Sequence, residues 1–156
     1  MRMRCVVLLF AMAMVAAAQK YAGPFPPKPD LPYLKHADNL VATEATVAKE
    51  EKGKKEDITY VVEGAASSAR TPLASPIFLL QTEKLTAASL ALYRLESKNG
   101  RREIVFAPKK QPKAIRMEAT RISDKLFRLE VEESLEPGEY SITPEGSNQV
   151  FCFQVY

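Results

Sequence analysis

Apolar and polar residues alternate strictly through two stretches in the second half of the chain. In residues 114–122, Ile115, Met117 and Ala119 fall on one side, and Arg116, Glu118 and Thr120 on the other. In residues 126–133, Phe127, Leu129 and Val131 oppose Arg128, Glu130 and Glu132. A period of two with one polar side is the mark of strands that have one wet face. The two stretches predict one antiparallel hairpin. Paired positions must share a face, so they must sum to an even number, which requires an odd-numbered loop. A three-residue loop, Ser123-Asp124-Lys125, satisfies this. It pairs Met117 with Val131, Ala119 with Leu129 and Arg116 with Glu132, and sets Glu118 against Glu130, a mildly unfavourable like-charge pair.

The same pattern predicts further strands at Ile58–Glu63, Ile77–Gln81, 90–96, 103–106 and Gln149–Val155. Asn99-Gly100 lies between two of them and is a strong signal for a two-residue hairpin turn. Pairing Lys98 with Arg101 across it places Leu95 opposite Ile104 and Tyr93 opposite Phe106, all on one face. Residues 40–48 (LVATEATVA) carry both β-branched residues and helix-like apolar spacing, and read as a strand. The charged run 49–57 (KEEKGKKED) reads as a solvated hairpin tip. Residues 64–76 form a small-residue loop. Residues 23–32, with five prolines in ten positions, form an extended, stiff spacer.

The last turn signal is Leu135-Glu-Pro137-Gly138-Glu-Tyr140. A Pro-Gly turn followed by a tyrosine at a strand start resembles the tyrosine corner of immunoglobulin-like sandwiches, which makes Leu135, Pro137, Gly138 and Tyr140 the expected structural corner. The final two strands would then be F and G. Most of the chain also resembles a group of small exported bacterial proteins, through HADNLVATEA, SARTPLASPIFLLQ and PEGSNQVFCF; the resemblance implies no activity. The expected fold is all-β: an immunoglobulin-like antiparallel β-sandwich over 37–156, after a signal peptide over 1–18 and a proline-rich extended segment over 19–36.

The signal-peptide reading rests on Arg2 and Arg4, the apolar run CVVLLFAMAMV and the small residues Ala16-Ala17-Ala18. Cleavage is expected between Ala18 and Gln19, leaving a periplasmic or extracellular protein with no membrane span. Without Arg2 and Arg4, the 22 basic residues become 20 against 19 acidic. That balance argues against nucleic acid as a partner. Cys152 is then the one remaining cysteine. Lying in VFCFQVY, it reads as a buried, inert thiol.

Side chains for catalysis are sparse. His36 is the sole histidine, with Asp38 two residues on, and no serine lies in a nucleophile elbow. His36, Asp38 and Asn39 read as a turn cluster, so no catalytic, metal or cofactor residues are assigned. The chain is expected not to be an enzyme. Basic charge does cluster, at a net of +6 over 94–121 against −5 over 124–145. Lys98, Arg101, Arg102, Lys109, Lys110 and Lys113 could form a patch for an anionic partner, unless neighbouring strands neutralise it. Two functions follow as expectations. One is a non-catalytic interaction or structural module of the cell envelope, partnered by an envelope protein. The other is a binding module for an anionic or saccharide cell-wall polymer.

Overall fold

The alternating segments fold as two antiparallel sheets in the computed structural model, which describes residues 20–156. The expected signal peptide and its expected cleavage point, between Ala18 and Gln19, lie outside the described residues. In chain order the strands are β1 (Tyr33–His36), β2 (Asn39–Ala42), β3 (Glu44–Val47), β4 (Lys49–Lys52), β5 (Ile58–Glu63), β6 (Arg70–Thr71), β7 (Ile77–Gln81), β8 (Leu90–Lys98), β9 (Arg101–Phe106), β10 (Met117–Ser123), β11 (Leu126–Val131), β12 (Gly138–Pro144) and β13 (Gln149–Val155). The first sheet has the order β10-β11-β7-β1-β2; the second runs β3-β13-β12-β8-β9-β5-β4, and β6 adds to β13 in parallel. No helix among the described residues is long and apolar enough to cross a membrane.

The main core lies between the sheets. Leu34, Phe78, Leu80, Leu129 and Val131 from the first sheet meet Leu92, Tyr140, Ile142, Phe151, Phe153 and Val155 from the second. Phe153 stacks on Tyr140 at a centroid distance of 5.5 Å and meets the edge of Phe78 at 5.0 Å. The tyrosine corner forms where the turn chemistry places it. Tyr140 Oη donates to the Glu136 carbonyl at 2.7 Å, and the Leu135 side chain is buried beneath.

Three of the sequence expectations change in detail. Residues 40–48 are extended but are two strands, not one. The chain passes from the first sheet to the second at Thr43, whose buried hydroxyl donates to the Pro32 carbonyl at 2.7 Å. The charged run is not all hairpin tip: Lys49–Lys52 is a strand paired with β5, and only the residues around Gly53 turn. The first sheet begins at Tyr33, inside the segment read as an extended spacer, and β1 pairs with both β2 and β7.

The β10–β11 register is the one the alternation requires: Met117 with Val131, Glu118 with Glu130 and Ala119 with Leu129. Its turn differs. Ser123 pairs with Leu126, so the loop is Asp124-Lys125, and a bulge between Arg121 and Ser123 absorbs the odd residue. A bulge and a three-residue loop solve the same parity problem, because each inserts one unpaired residue on one side. The Asn99-Gly100 turn has both residues at positive φ (53° and 75°), as a type I′ turn needs, and it pairs Lys98 with Arg101.

Candidate functional site

The second sheet curls on itself. Its two terminal strands, β3 and β4, are halves of one run separated only by Ala48. One half pairs with β13 and the other with β5, so the hydrogen-bonded path closes into a small barrel. The Ala48 N–H donates to the Asn148 carbonyl at 2.8 Å and seals the join. Alternation then gives β12 and β13 a second inner face. Tyr140, Ile142, Phe151 and Phe153 look toward the first sheet, while Ser141, Val150 and Cys152 look into the barrel.

One end of the barrel is open. It forms a cavity of about 590 Å³ floored by Ala48, Val62, Leu95, Ile104 and Val150. Tyr60, Tyr93 and Phe106 form its walls; Glu50, Ser89, Glu145, Ser147 and Asn148 stand at its rim. The Phe106 ring is nearly perpendicular to Tyr60 (88°, 5.4 Å) and steeply inclined to Tyr93 (75°, 5.6 Å). All three rings stay only half-buried. Backbone pairing of β8 with β9 runs from the turn to Glu96 and Glu103, and beyond it the Tyr93 and Phe106 rings meet. This is the hairpin face foreseen from the Asn99-Gly100 turn, and it lines a cavity.

The other end is closed by a buried ionic cluster. Arg102, 1 % exposed, donates through Nη2 to Glu44 Oε1 at 2.8 Å and to the Glu63 carbonyl at 2.6 Å. Its Nε donates to the Gly64 carbonyl at 2.9 Å. Glu139 is also buried, and accepts from the Ser67 N–H at 3.0 Å. Burial pushes the Glu139 carboxyl above its usual range; the Ser67 bond and Arg102 oppose that push but do not cancel it. Burial raises Glu44 too, but its Arg102 and Ser68 bonds outweigh this and hold it low. Between the two ends lies Cys152, fully buried, its thiol pushed up to about 12 by burial against the pull of Arg102. Such a thiol is a poor nucleophile at neutral pH.

The anionic-partner patch is broken up by this arrangement. Arg102 does not belong to it, because its head points into the barrel and is committed to Glu44. Arg101 is bound to Glu51 at 2.8 Å and Glu103 at 3.0 Å. Nearby, Arg116 pairs with Glu132 at 2.9 Å and Arg121 with Asp124 at 3.1 Å, so the basic and acidic stretches cancel locally. Lys98, Lys109, Lys110 and Lys113 remain exposed; Lys98 is at the β8–β9 turn and the others are in the loop after β9. His36 ends β1 and Ala37-Asp38 forms the turn into β2, which begins at Asn39; His36 Nε2 is 2.9 Å from Thr71 Oγ1.

Comparison with protein-family models, curated proteins and solved structures found no match.

The cavity itself was not foreseen as a site. Its signal was present in part. Tyr60 and Val62 alternate on β5, and both faces of β13 are apolar, which an ordinary sheet with one wet face does not need. What no single segment could reveal was that β3 and β4 close the ring.

Proposed function

We propose that the chain is a non-catalytic binding module of the bacterial cell envelope or periplasm, exported by the Met1–Ala18 signal, and that it holds its ligand in the open end of the barrel. The observation that carries this reading is the cavity of about 590 Å³ with three half-buried aromatic rings on its wall. Its size falls within the roughly 300–1,000 Å³ usual for ligand pockets, and its lining joins apolar and aromatic side chains to polar groups, most of them at the edge. The cell-wall-polymer alternative has weaker support, because the arginines it would use are paired with acids.

As for fold type, we propose an immunoglobulin-like domain. The orders β10-β11-β7-β1 and β13-β12-β8-β9 correspond to strands D-E-B-A and G-F-C-C′ of that topology, with the tyrosine corner on F. The β4–β5 hairpin is then an insertion that extends the C′ edge and closes the barrel.

The test uses the neutral apolar dye N-phenyl-1-naphthylamine. Its fluorescence should rise on titration and saturate at one dye per protein. Ala91→Phe, which fills the cavity from β8, should abolish the rise while leaving the thermal melt intact. Absence of enhancement, or equal enhancement in the folded Ala91→Phe protein, would refute the reading.

A further inference from the structure

We infer that the barrel cavity selects amphipathic cations: small molecules that join an apolar or aryl body to an ammonium group. This deepens the binding reading above and rests on it. Two observations on the lining point the same way. The first is the aromatic wall. Tyr60, Tyr93 and Phe106 come from three different strands, and the Phe106 ring is steeply inclined to both others (88° and 75°), with centroids 5.4 and 5.6 Å away. Steeply inclined rings offer ring faces in different directions to one guest. Ring faces carry negative potential, which attracts an ammonium and not a neutral group of the same shape.

The second observation is the charge of the rim. Among the described residues, Glu50 and Glu145 line the cavity and no lysine or arginine does. Neither acid has an ion-pair partner among the described residues. Several other acids of the barrel strands are paired: Glu51 and Glu103 with Arg101, Glu44 with Arg102 and Glu63 with Lys49. Glu50 is held in place, since Asn148 Nδ2 donates to its Oε1 at 3.0 Å across the closing seam. The mouth therefore sets a fixed carboxylate beside aromatic faces, above an apolar floor. An anionic amphipath would meet two unpaired acids there, and a neutral one would gain nothing from them.

The test is calorimetry on the intact mature chain with three shape-matched probes: benzyltrimethylammonium, neutral neopentylbenzene and phenylmethanesulfonate. The ammonium should bind about tenfold more tightly than either other probe. Glu50→Gln keeps the bond to Asn148 and should shrink that preference to under about threefold, leaving the neutral probe unchanged. Phe106→Leu, which preserves an apolar wall, should weaken the ammonium more than the neutral probe. Equal or tighter binding of the neutral or anionic probe overturns the inference, as does no ammonium binding. If the naphthylamine dye binds in the cavity while the ammonium does not, the binding-module reading stands and only the ligand class falls. If neither binds, both fall.

Discussion

Strands β12 and β13, with β8 beside them, carry two inner faces that are filled in different ways. Toward the first sheet they present Leu92, Tyr140, Ile142, Phe151 and Phe153, each 0–1 % exposed and packed against Leu34, Phe78, Leu80 and Leu129. Toward the barrel the same strands present Tyr93, Ser141, Thr143, Val150 and Cys152, which border a cavity at one end and approach the Arg102 cluster at the other. One ladder of hydrogen bonds serves both faces. The packed face already specifies which strands pair and in what register, since a one-residue slip would expose it. The barrel face is thereby freed from specifying the fold and can leave space empty and bury charge.

The largest test of this contrast pairs one phenylalanine from each face. Phe153→Ala removes a ring held between Tyr140 and Phe78 and should cost about 3–5 kcal/mol in a denaturant melt. Phe106→Leu, on the half-exposed cavity wall, should cost under about 1.5 kcal/mol. Similar losses at both positions would erase the distinction between a packed face and a binding face.

The ionic end of the barrel gives the next effect. Arg102→Met leaves Glu44 without its cation and the Glu63 and Gly64 carbonyls without their donor. Removing one partner of a fully buried pair costs about 3–5 kcal/mol; Glu44 keeps some solvent contact, so about 2–3 kcal/mol is expected. Adding Glu44→Gln should recover part of the loss, because the stranded charge is then gone. A double variant less stable than Arg102→Met would show that the cost lies in packing of the guanidinium and not in the pair.

The packed face was legible from sequence because its signals are local. The Pro137-Gly138-x-Tyr140 corner and the alternation of β10 and β11 each fix their part of it within some twenty residues. The closure of the barrel was not legible, because it depends on β3 reaching β13 about one hundred residues further on, where Val47 pairs with Gln149 and Glu44 with Cys152. Arg102 illustrates the cost of that gap. Beside Arg101 at a hairpin it reads as surface charge, yet alternation turns it inward, where Glu44 from a distant strand meets it. Arg116 and Glu132, by contrast, could be paired from the hairpin register alone, and they lie 2.9 Å apart.

A smaller effect belongs to the packed face. Tyr140→Phe deletes only the hydroxyl bonded to the Glu136 carbonyl, leaving the ring stacked on Phe153. A loss of about 1 kcal/mol is expected in a denaturant melt, the usual net worth of one hydrogen bond at a partly buried site. A change near zero would mean that water takes over at the corner, and that the ring, not the bond, holds the start of β12.

The smallest expected effect is also a gain, and it separates the faces by sign. Glu139 lies on the barrel face of β12, buried, and its folded-state pKa is raised above the ordinary value. A carboxyl with a raised folded pKa favours the folded state fully below its unfolded pKa and loses that contribution as pH rises through the folded value. Glu139→Gln is uncharged throughout and can still accept the Ser67 N–H. It should therefore stabilise the protein at neutral pH by about 0.5–1.5 kcal/mol. The gain should vanish as pH falls below the ordinary carboxylate range, where wild-type Glu139 is protonated in both states. Glu44 is shifted the other way, so Glu44→Gln should destabilise at neutral pH, with its difference shrinking as acid protonates Glu44 in the folded wild type. Melts of both variants across pH check the pair. Destabilisation by Glu139→Gln at neutral pH would mean that its attraction to Arg102 outweighs its burial, and that the barrel end is a balanced triad rather than one ion pair with a strained acid beside it.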